Sequence, residues 1–465
     1  MPLSRYRLSL LLLPLAAAPL RAQDTLPSAM RAHIDSAAHD VLTRTGAPSA
    51  SIAVVRDGRI VYAQAYGTAR LATQLAATPA MRYSIGSVSK QFTAAAVLLL
   101  AERGKLSLDD KAGKYLPDLT RANEVTIRQV LSMTSGYQDF WPQDYVMPPM
   151  LQPTTARAII DGWAKKPLDF EPGSKWQYSN TNYVIAGLIV EKVAGMPLVD
   201  FLRQNILNPL HMTSVIITDD AGLGPTDPER YLRYGAGPVR PAPKEGRGWM
   251  FAAGELAMTA SDLARWDISV IDQTIMKPAS YRAQQTDMLL NDGVGTNYGL
   301  GVQVANPNGH RLISHTGEVS GFTAANNIYP DDSMAIVVLT NLDASGASGQ
   351  IAAQISNALF AVSDHETDVA VAQAKSIVAG LQHGTIDRTL FTSNANAYFN
   401  DQALADFQAS LSTCSNAPDV SAGGRSLRGG MVFRSFRIRC GVRTLSLSTF
   451  TMPDGKLEQF QIASQ

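Results

Sequence analysis

Ser87 and Lys90 are the residues of this chain whose types and spacing point most directly to chemistry. They belong to the stretch Ser84-Ile85-Gly86-Ser87-Val88-Ser89-Lys90, which runs into an Ala- and Leu-rich segment, free of Pro, that ends at Gly104. By composition that segment is a helix, with Gly104 suited to the position just past its end. Ser87 is expected at or near the helix start. Residues three apart on a helix share a face, about 4.5 Å apart along the axis. A hydroxyl and an amine are thereby held side by side. A serine hydroxyl is a weak nucleophile and needs a base within hydrogen-bond reach. A lysine can serve if its amine is neutral, and the positive end of a helix and burial both push it that way. The same helix end offers backbone N–H groups to an oxyanion. The competing reading is an N-capping serine and a solvated lysine, the usual meaning of an isolated Ser-x-x-Lys.

Two more constellations could join this pair. Tyr178 and Asn180 follow the Pro172-Gly173 turn and precede a helical run. A phenol can relay a proton, and an amide can hold a substrate carbonyl or a lysine amine. Tyr-x-Asn is a weak pattern alone, since Tyr398-Phe399-Asn400 repeats it near the C-terminus. His315-Thr316-Gly317 stands at the end of a strand-like run. Its glycine would let a substrate backbone lie close to the sheet edge. His315 could orient a polar substrate group, although a lone histidine there is more often structural. The seven His residues form no His-Glu-x-x-His, and there is no Cys-x-x-Cys and no Gly-x-Ser-x-Gly. Metal catalysis and a nucleophile elbow are therefore unsupported, and no cofactor is called for. Gly423-Gly424 and Gly429-Gly430 read as turns rather than a phosphate loop.

These residues must be positioned by the elements around them. Ser28 to Thr43 reads as an amphipathic helix. Ser49 to Val55 and Ile60 to Gly67 read as a hairpin about Asp57-Gly58. Residues 107–266 are mostly helical, with a helix from Thr181 to Ala194 and another after Pro197. Asp220 to Gly248 is an irregular excursion rich in Gly, Pro and charge. Strand signals return at His310–His315, Gly321–Tyr329 and Met334–Asn341, and a helix closes the region from Gly349 to Val362. Strands at both ends with helices between predict one antiparallel sheet built from the two ends and an inserted helical subdomain. Residues 363–368 read as a linker. Residues 369–465 read as a small α+β domain, with two helices before strands at Gly430–Cys440, Leu445–Met452 and Leu457–Ile462.

The chain has 465 residues, 45% hydrophobic and 17% charged, with 40 basic and 40 acidic side chains. That is enough for two or three domains and a large core. No basic patch or charge run argues for nucleic acid, and no apolar run is long enough for a transmembrane anchor. Residues 1–22 read as a secretory signal peptide: Arg5 and Arg7, then an apolar run from Leu8 to Leu20, then Ala22. An exported protein, periplasmic or secreted, is expected. In that setting Cys414 and Cys440 suggest a disulfide, against the alternative of two separate buried thiols.

Ser-x-x-Lys, Tyr-x-Asn and His-Thr-Gly, in that order and widely spaced, resemble the serine-reactive family of class C β-lactamases, penicillin-binding proteins, DD-peptidases, D-aminopeptidases and related esterases. Tyr83 to Lys90 resembles the nucleophile segment, and residues 125–136, 253–264 and 298–301 match further recurrent segments. The resemblance covers roughly residues 28–362. It implies an α/β (α+β) β-lactamase/transpeptidase-like fold. It also implies that Ser87 attacks an acyl carbon, that Lys90 and Tyr178 share the base work, and that Asn180 holds Lys90 and the substrate. The backbone N–H groups of Ser87 and Glu318 would form the oxyanion hole, with His315, Thr316 and Gly317 along the substrate edge. The implied partner is a small-molecule ester, peptide or β-lactam.

Two departures matter. Many β-lactamases of this class carry Lys where His315 stands, and His is mostly neutral at pH 7. This favours an esterase or peptidase over a dedicated β-lactamase. Met133 stands where His is common, so a structural hydrogen bond is expected to be missing. The aromatic loop from Tyr137 to Pro149 either walls an acyl pocket or packs on the helical subdomain. The C-terminal order of helices then strands is similar to small NTF2-like modules; covering the cleft, self-association and ligand binding are roles open to it, with a plain structural role the default. A non-catalytic peptidoglycan- or acyl-binding protein is the alternative from another class.

Overall fold

The computed structural model describes residues 26–464, apart from 144, 362–364, 415–418 and 442. The expected signal peptide, residues 1–22, lies outside the described residues. The main sheet has seven strands. From edge to edge they are Leu75–Ala76, Arg59–Arg70, Ser49–Arg56, Met334–Thr340, Phe322–Tyr329, Leu312–Val319 and Gln303–Ala305. The expected joining of the chain's two ends occurs at its centre, where Ala53 pairs antiparallel with Val337. The first hairpin turns on Asp57 and Gly58, both with positive φ, which suits the right-handed twist of its strands.

The two central strands are buried on both faces. Ala53, Val55, Val337 and Leu339 join the core that holds the helical subdomain. Ile52, Val54, Ile336 and Val338 join a second core beneath the helices Ser28–Thr45 and Ala347–Ala361. That explains their unbroken apolar runs, and each Val or Ile so buried contributes about 1.5–3 kcal/mol.

Inserted between the sheet's two halves is the helical subdomain. Its central helix, Lys90–Glu102, is buried at every position from Lys90 to Leu100. A helix apolar all round can be stable only in such a place. Arg103 follows it and Gly104 takes φ +65°, the left-handed stop expected there. A three-stranded sheet of Tyr83–Ser84, Leu256–Met258 and Ile216–Ile217 binds the segment before Ser87 to the segment before Leu256.

The C-terminal unit differs from the expectation in two places. A helix spans His365–Gln382, so most of the expected linker 363–368 is helical; Glu366 and Asp368 sit in its first turn, where acidic charge complements the helix dipole. The sheet has four strands rather than three: Asp419–Arg428, Met431–Cys440, Arg443–Thr451 and Leu457–Ser464, each paired to the next. Gly423-Gly424 is not a turn but a register shift inside the first strand, between Ala422 and Arg425. Gly429-Gly430 is the turn. Cys414 and Cys440 form a disulfide.

Candidate active site

Ser87 lies in a single 3-10 turn, Gly86–Ser89, immediately before the α-helix that begins at Lys90. In a 3-10 turn residues three apart eclipse, so Ser87 and Lys90 face the same way. Neither helix start carries a side-chain cap bond. Lys90 is 0% exposed. Its Nζ donates to Ser87 Oγ at 2.8 Å, to Asn180 Oδ1 at 2.8 Å and to the Ala253 carbonyl at 3.0 Å. The capping serine and solvated lysine of the competing reading are therefore both absent here.

The partners of Lys90 are each held by a second contact. Ala253 sits in the short helix Phe251–Gly254, where Thr93 Oγ1 donates to the Ala252 carbonyl at 2.7 Å and Leu256 N–H donates to Ser89 Oγ at 3.3 Å. Asn180 opens the helix Asn180–Ala194. Its backbone N–H donates to Asp139 Oδ1 at 2.9 Å and its Nδ2 to Asp139 Oδ2 at 3.3 Å. Asp139 thus caps this helix from another segment while it fixes the amide that receives Lys90. Burial pushes its carboxyl above the usual range; the N–H groups of Trp141 and Asn180 oppose that more weakly. Asp139 was not singled out by the sequence, where it is one acid in a loop of aromatics. Its only local signal is its place three residues after Gly136.

Tyr178 lies just before that helix, with its ring centroid 4.9 Å from Lys90 Nζ. Trp176 packs beside it at 6.5 Å, and on Tyr298 at 5.7 Å, with both ring pairs tilted. The hydrogen bond expected to be lost at Met133 is replaced. The Met133 sulfur, a weak acceptor, takes Ser179 N–H at 3.4 Å and Asn182 Nδ2 at 3.6 Å. Tyr398-Phe399-Asn400 is a decoy: it lies in the C-terminal unit, where Asn400 caps the helix Asp401–Leu411.

Gly317 also makes a close contact within the chain itself. A Cβ built on it would fall 1.9 Å from the Ile85 carbonyl oxygen and 3.3 Å from Ser87 N. Its missing side chain admits the turn that carries Ser87 against the strand Leu312–Val319. Gly86, at φ +50°, is the reciprocal case: a Cβ there would meet Glu318 N at 2.9 Å. The amides of Ser87 and Glu318 therefore belong to two segments in direct contact.

His315 is 3% exposed and both ring nitrogens are engaged. Nδ1 lies 2.6 Å from the Thr316 carbonyl and so donates to it; Nε2 then accepts from Tyr298 Oη at 3.0 Å. Burial, and after it the Lys90 charge, lower its pKa to about 3. His315 is a neutral support for Tyr298, while Thr316 presents its side chain at the surface of the strand. Of the aromatic loop, Tyr137, Phe140 and Trp141 are buried in the core, and Phe140 packs on Trp163 and Trp249. Packing on the helical subdomain is the reading that holds for these three. Tyr145 is 64% exposed.

With this geometry in view, the chain can be set beside known proteins. Protein flp of Staphylococcus aureus (strain MRSA252) is 29% identical over 322 residues, which cover 67% of this chain and 62% of flp. The chain thus spans less than two thirds of that relative's length. Penicillin-binding protein 4* of Bacillus subtilis is 28% identical over 309 residues, 63% of this chain and 67% of the relative. Among solved structures, the D-amino acid amidase from Ochrobactrum anthropi SV3 aligns with a TM-score of 0.65 at 23% identity, covering 72% of this chain and all of the amidase. The octameric penicillin-binding protein homologue from Pyrococcus abyssi aligns at 0.63 and 21% identity, over 93% of this chain and 99% of that one. Both share the fold. The β-lactamase family model matches residues 32–358, and that span holds every residue of the site just described; the chain belongs to the β-lactamase family.

Proposed function

We propose that this protein is an exported serine hydrolase that cleaves an ester or a peptide/amide bond through a covalent acyl-enzyme. The observation that carries the reading is the 2.8 Å contact between Lys90 Nζ and Ser87 Oγ in a buried, fully bonded setting. With two N–H groups given to Asn180 and Ala253, Lys90 as the neutral amine turns its lone pair to Ser87 Oγ, which attacks the acyl carbon as its proton passes to Lys90 or to Tyr178. The carbonyl oxygen, now negative, is received by the N–H groups of Ser87 and Glu318. Tyr178 delivers the proton to the departing alcohol or amine as the bond to the acyl carbon breaks. Water then attacks the acyl-enzyme and gives a proton to the same pair, which passes it to Ser87 Oγ as the bond from Oγ to the acyl carbon breaks and the carboxylic acid leaves. Asn180 holds Lys90, and Thr316 offers the strand edge on which the substrate lies.

The neutrality of His315 supports ester and amide substrates over β-lactams, because no fixed cation stands there for a β-lactam carboxylate. The name of the Ochrobactrum enzyme, a D-amino acid amidase, supports the amide arm. Export rests on the leader-like residues 1–22 and on the Cys414–Cys440 disulfide, a bond of oxidising compartments. The test is intact-mass analysis after exposure to a fluorophosphonate and to a labelled penicillin. A single adduct on Ser87, absent in Ser87→Ala, is expected. If neither reagent labels the protein while a control enzyme reacts, it is not a serine hydrolase. Parallel rates on a short-chain ester, a D-amino-acid amide and a cephalosporin rank the substrates; a cephalosporin rate higher by orders of magnitude would make it a β-lactamase.

A further inference from the structure

The turn that supplies Ala253 to Lys90 has a second side. There, between the helices Asn180–Ala194 and Leu198–Leu202 and the segment Asp219–Glu255, lies a cavity of about 450 Å³. It shares one wall, Phe251 to Glu255, with the Ser87 site. Its lining is acidic. Asp220 is paired with Arg247 at 3.0 Å and Asp200 with Arg203 at 3.4 Å, so both guanidiniums are already matched. That leaves Glu191, Asp219 and Glu255 without a direct ion pair; Lys244 near Asp219 and Arg203 near Glu255 act on them only through space. Glu191 Oε1 accepts from Leu198 N–H and Asp219 Oδ2 from Gly248 N–H.

Glu255 is the residue that turns this cluster into a site. It is only 6% exposed, it lines the cavity, and its carboxyl has no hydrogen-bond or ion-pair partner among the described residues. Its oxygens open only onto the cavity, and the one fully buried unpartnered oxygen beside them is Asp219 Oδ1, so a charge here is costly unless water or a ligand meets it. Burial, and then the charges of Asp219, Asp220 and Glu191, raise its pKa to about 8. No group of three or more His, Cys, Asp or Glu among the described residues converges closely enough to hold a metal ion. The cavity instead has room for a small organic molecule.

We propose that this cavity is a second ligand site, distinct from the Ser87 cleft, for a small organic cation carrying a primary amine that pairs with Glu255 and Asp219. The ammonium would donate to both carboxylates, and Glu255 would release the proton it carries at neutral pH. Nothing in this depends on Ser87 reacting.

The probe is 1,5-diaminopentane, titrated calorimetrically into the full chain at pH 7 in two buffers of different ionisation enthalpy. One saturable site is expected, with a buffer-dependent heat that reports proton release. Glu255→Gln, isosteric with the protonated acid, should keep the fold, weaken binding by about tenfold or more and abolish the buffer dependence. Asp219→Asn should weaken binding as well. Arg247→Ala frees Asp220, a further acid in the lining, and should leave binding unchanged or tighter. Labelling Ser87 should leave the site open. Absence of saturable heat, equal affinity in Glu255→Gln, or loss of binding in Arg247→Ala or on labelling Ser87 would each overturn the proposal.

Discussion

Asp139 touches neither Ser87 nor Lys90, yet it fixes the amide that does. Its two oxygens accept both N–H groups of Asn180, which leaves Asn180 Oδ1 as the end that faces Lys90. An Asn at this position would set an NH₂ against one of those donors, a mismatch that costs about 1–3 kcal/mol when buried. Asp139→Asn is expected to slow acylation of Ser87 by roughly 5- to 150-fold, the rate equivalent of that range, while KM moves little. A fall in melting temperature with an unchanged acylation rate would reduce Asp139 to a helix cap. His315 supports a second prediction, on pH. Its folded-state pKa, about 3, lies below its ordinary value near 6.5, so between those values the unfolded chain binds the extra proton. Stability from this residue is complete above about pH 6.5 and falls as pH drops toward 3, by about 2 kcal/mol at pH 5. His315→Gln keeps an acceptor for Tyr298 and should flatten that part of the curve. Urea midpoints of both proteins at pH 7.5 and pH 5 measure the difference; parallel losses in the two would remove His315 as the cause.

At the scale of elements, the site depends on how closely one turn meets one strand. The turn Gly86–Ser89 lies against Leu312–Val319 only because Gly317 has no Cβ. Gly317→Ala sets a methyl 1.9 Å from a backbone oxygen, a position that no side-chain rotation relieves. The strand and turn must separate, and the amides of Ser87 and Glu318 with them. Acylation should fall by about 100-fold or more, in the range of a lost oxyanion donor. Gly104→Ala is the control: nothing lies within 4 Å of its Cβ position, so only its φ of +65° is strained. Equal acylation rates in the two variants would show that the close approach is irrelevant to the site. The same contact marks where sequence reasoning reached its limit. Ser87, Lys90, Tyr178 and Asn180 were legible because their chemistry repeats at recognisable spacings. The hairpin about Asp57-Gly58 and the buried run Met334–Thr340 were legible because turn type and apolar patterning are local. Gly317 was recognised but assigned to the substrate, since the segment facing it is more than 200 residues away in the chain. Asp139 went unseen for the same reason, as its partner Asn180 is set by folding and not by spacing. The strand Asp419–Arg428 was missed because nearly all of it is exposed, so no apolar alternation announces it.

The described residues form three separate cores, and the third uses residues from the C-terminal unit alone. Ile377, Val378 and Leu381 of the helix His365–Gln382 pack there with Phe436, Ile438 and Leu447 of the sheet. Cys414 and Cys440 join that same core and close a loop of sequence separation 26. Loop closure of that length stabilises the folded state by about 3 kcal/mol, chiefly by restricting the unfolded chain. Because the other two cores contain no cysteine, reduction acts on this unit only. Two thermal transitions are therefore expected in calorimetry. Adding a reductant should lower one of them by roughly 10 °C or more, at about 4–8 °C per kcal/mol for a unit of this size, and leave the other in place. Labelling of Ser87 during the same temperature ramp assigns the unmoved transition to the β-lactamase-family unit, since the site lies wholly within residues 32–358. If both transitions shift together, the C-terminal unit supports the β-lactamase-family unit, and its stability is part of what keeps Ser87 and Lys90 in register.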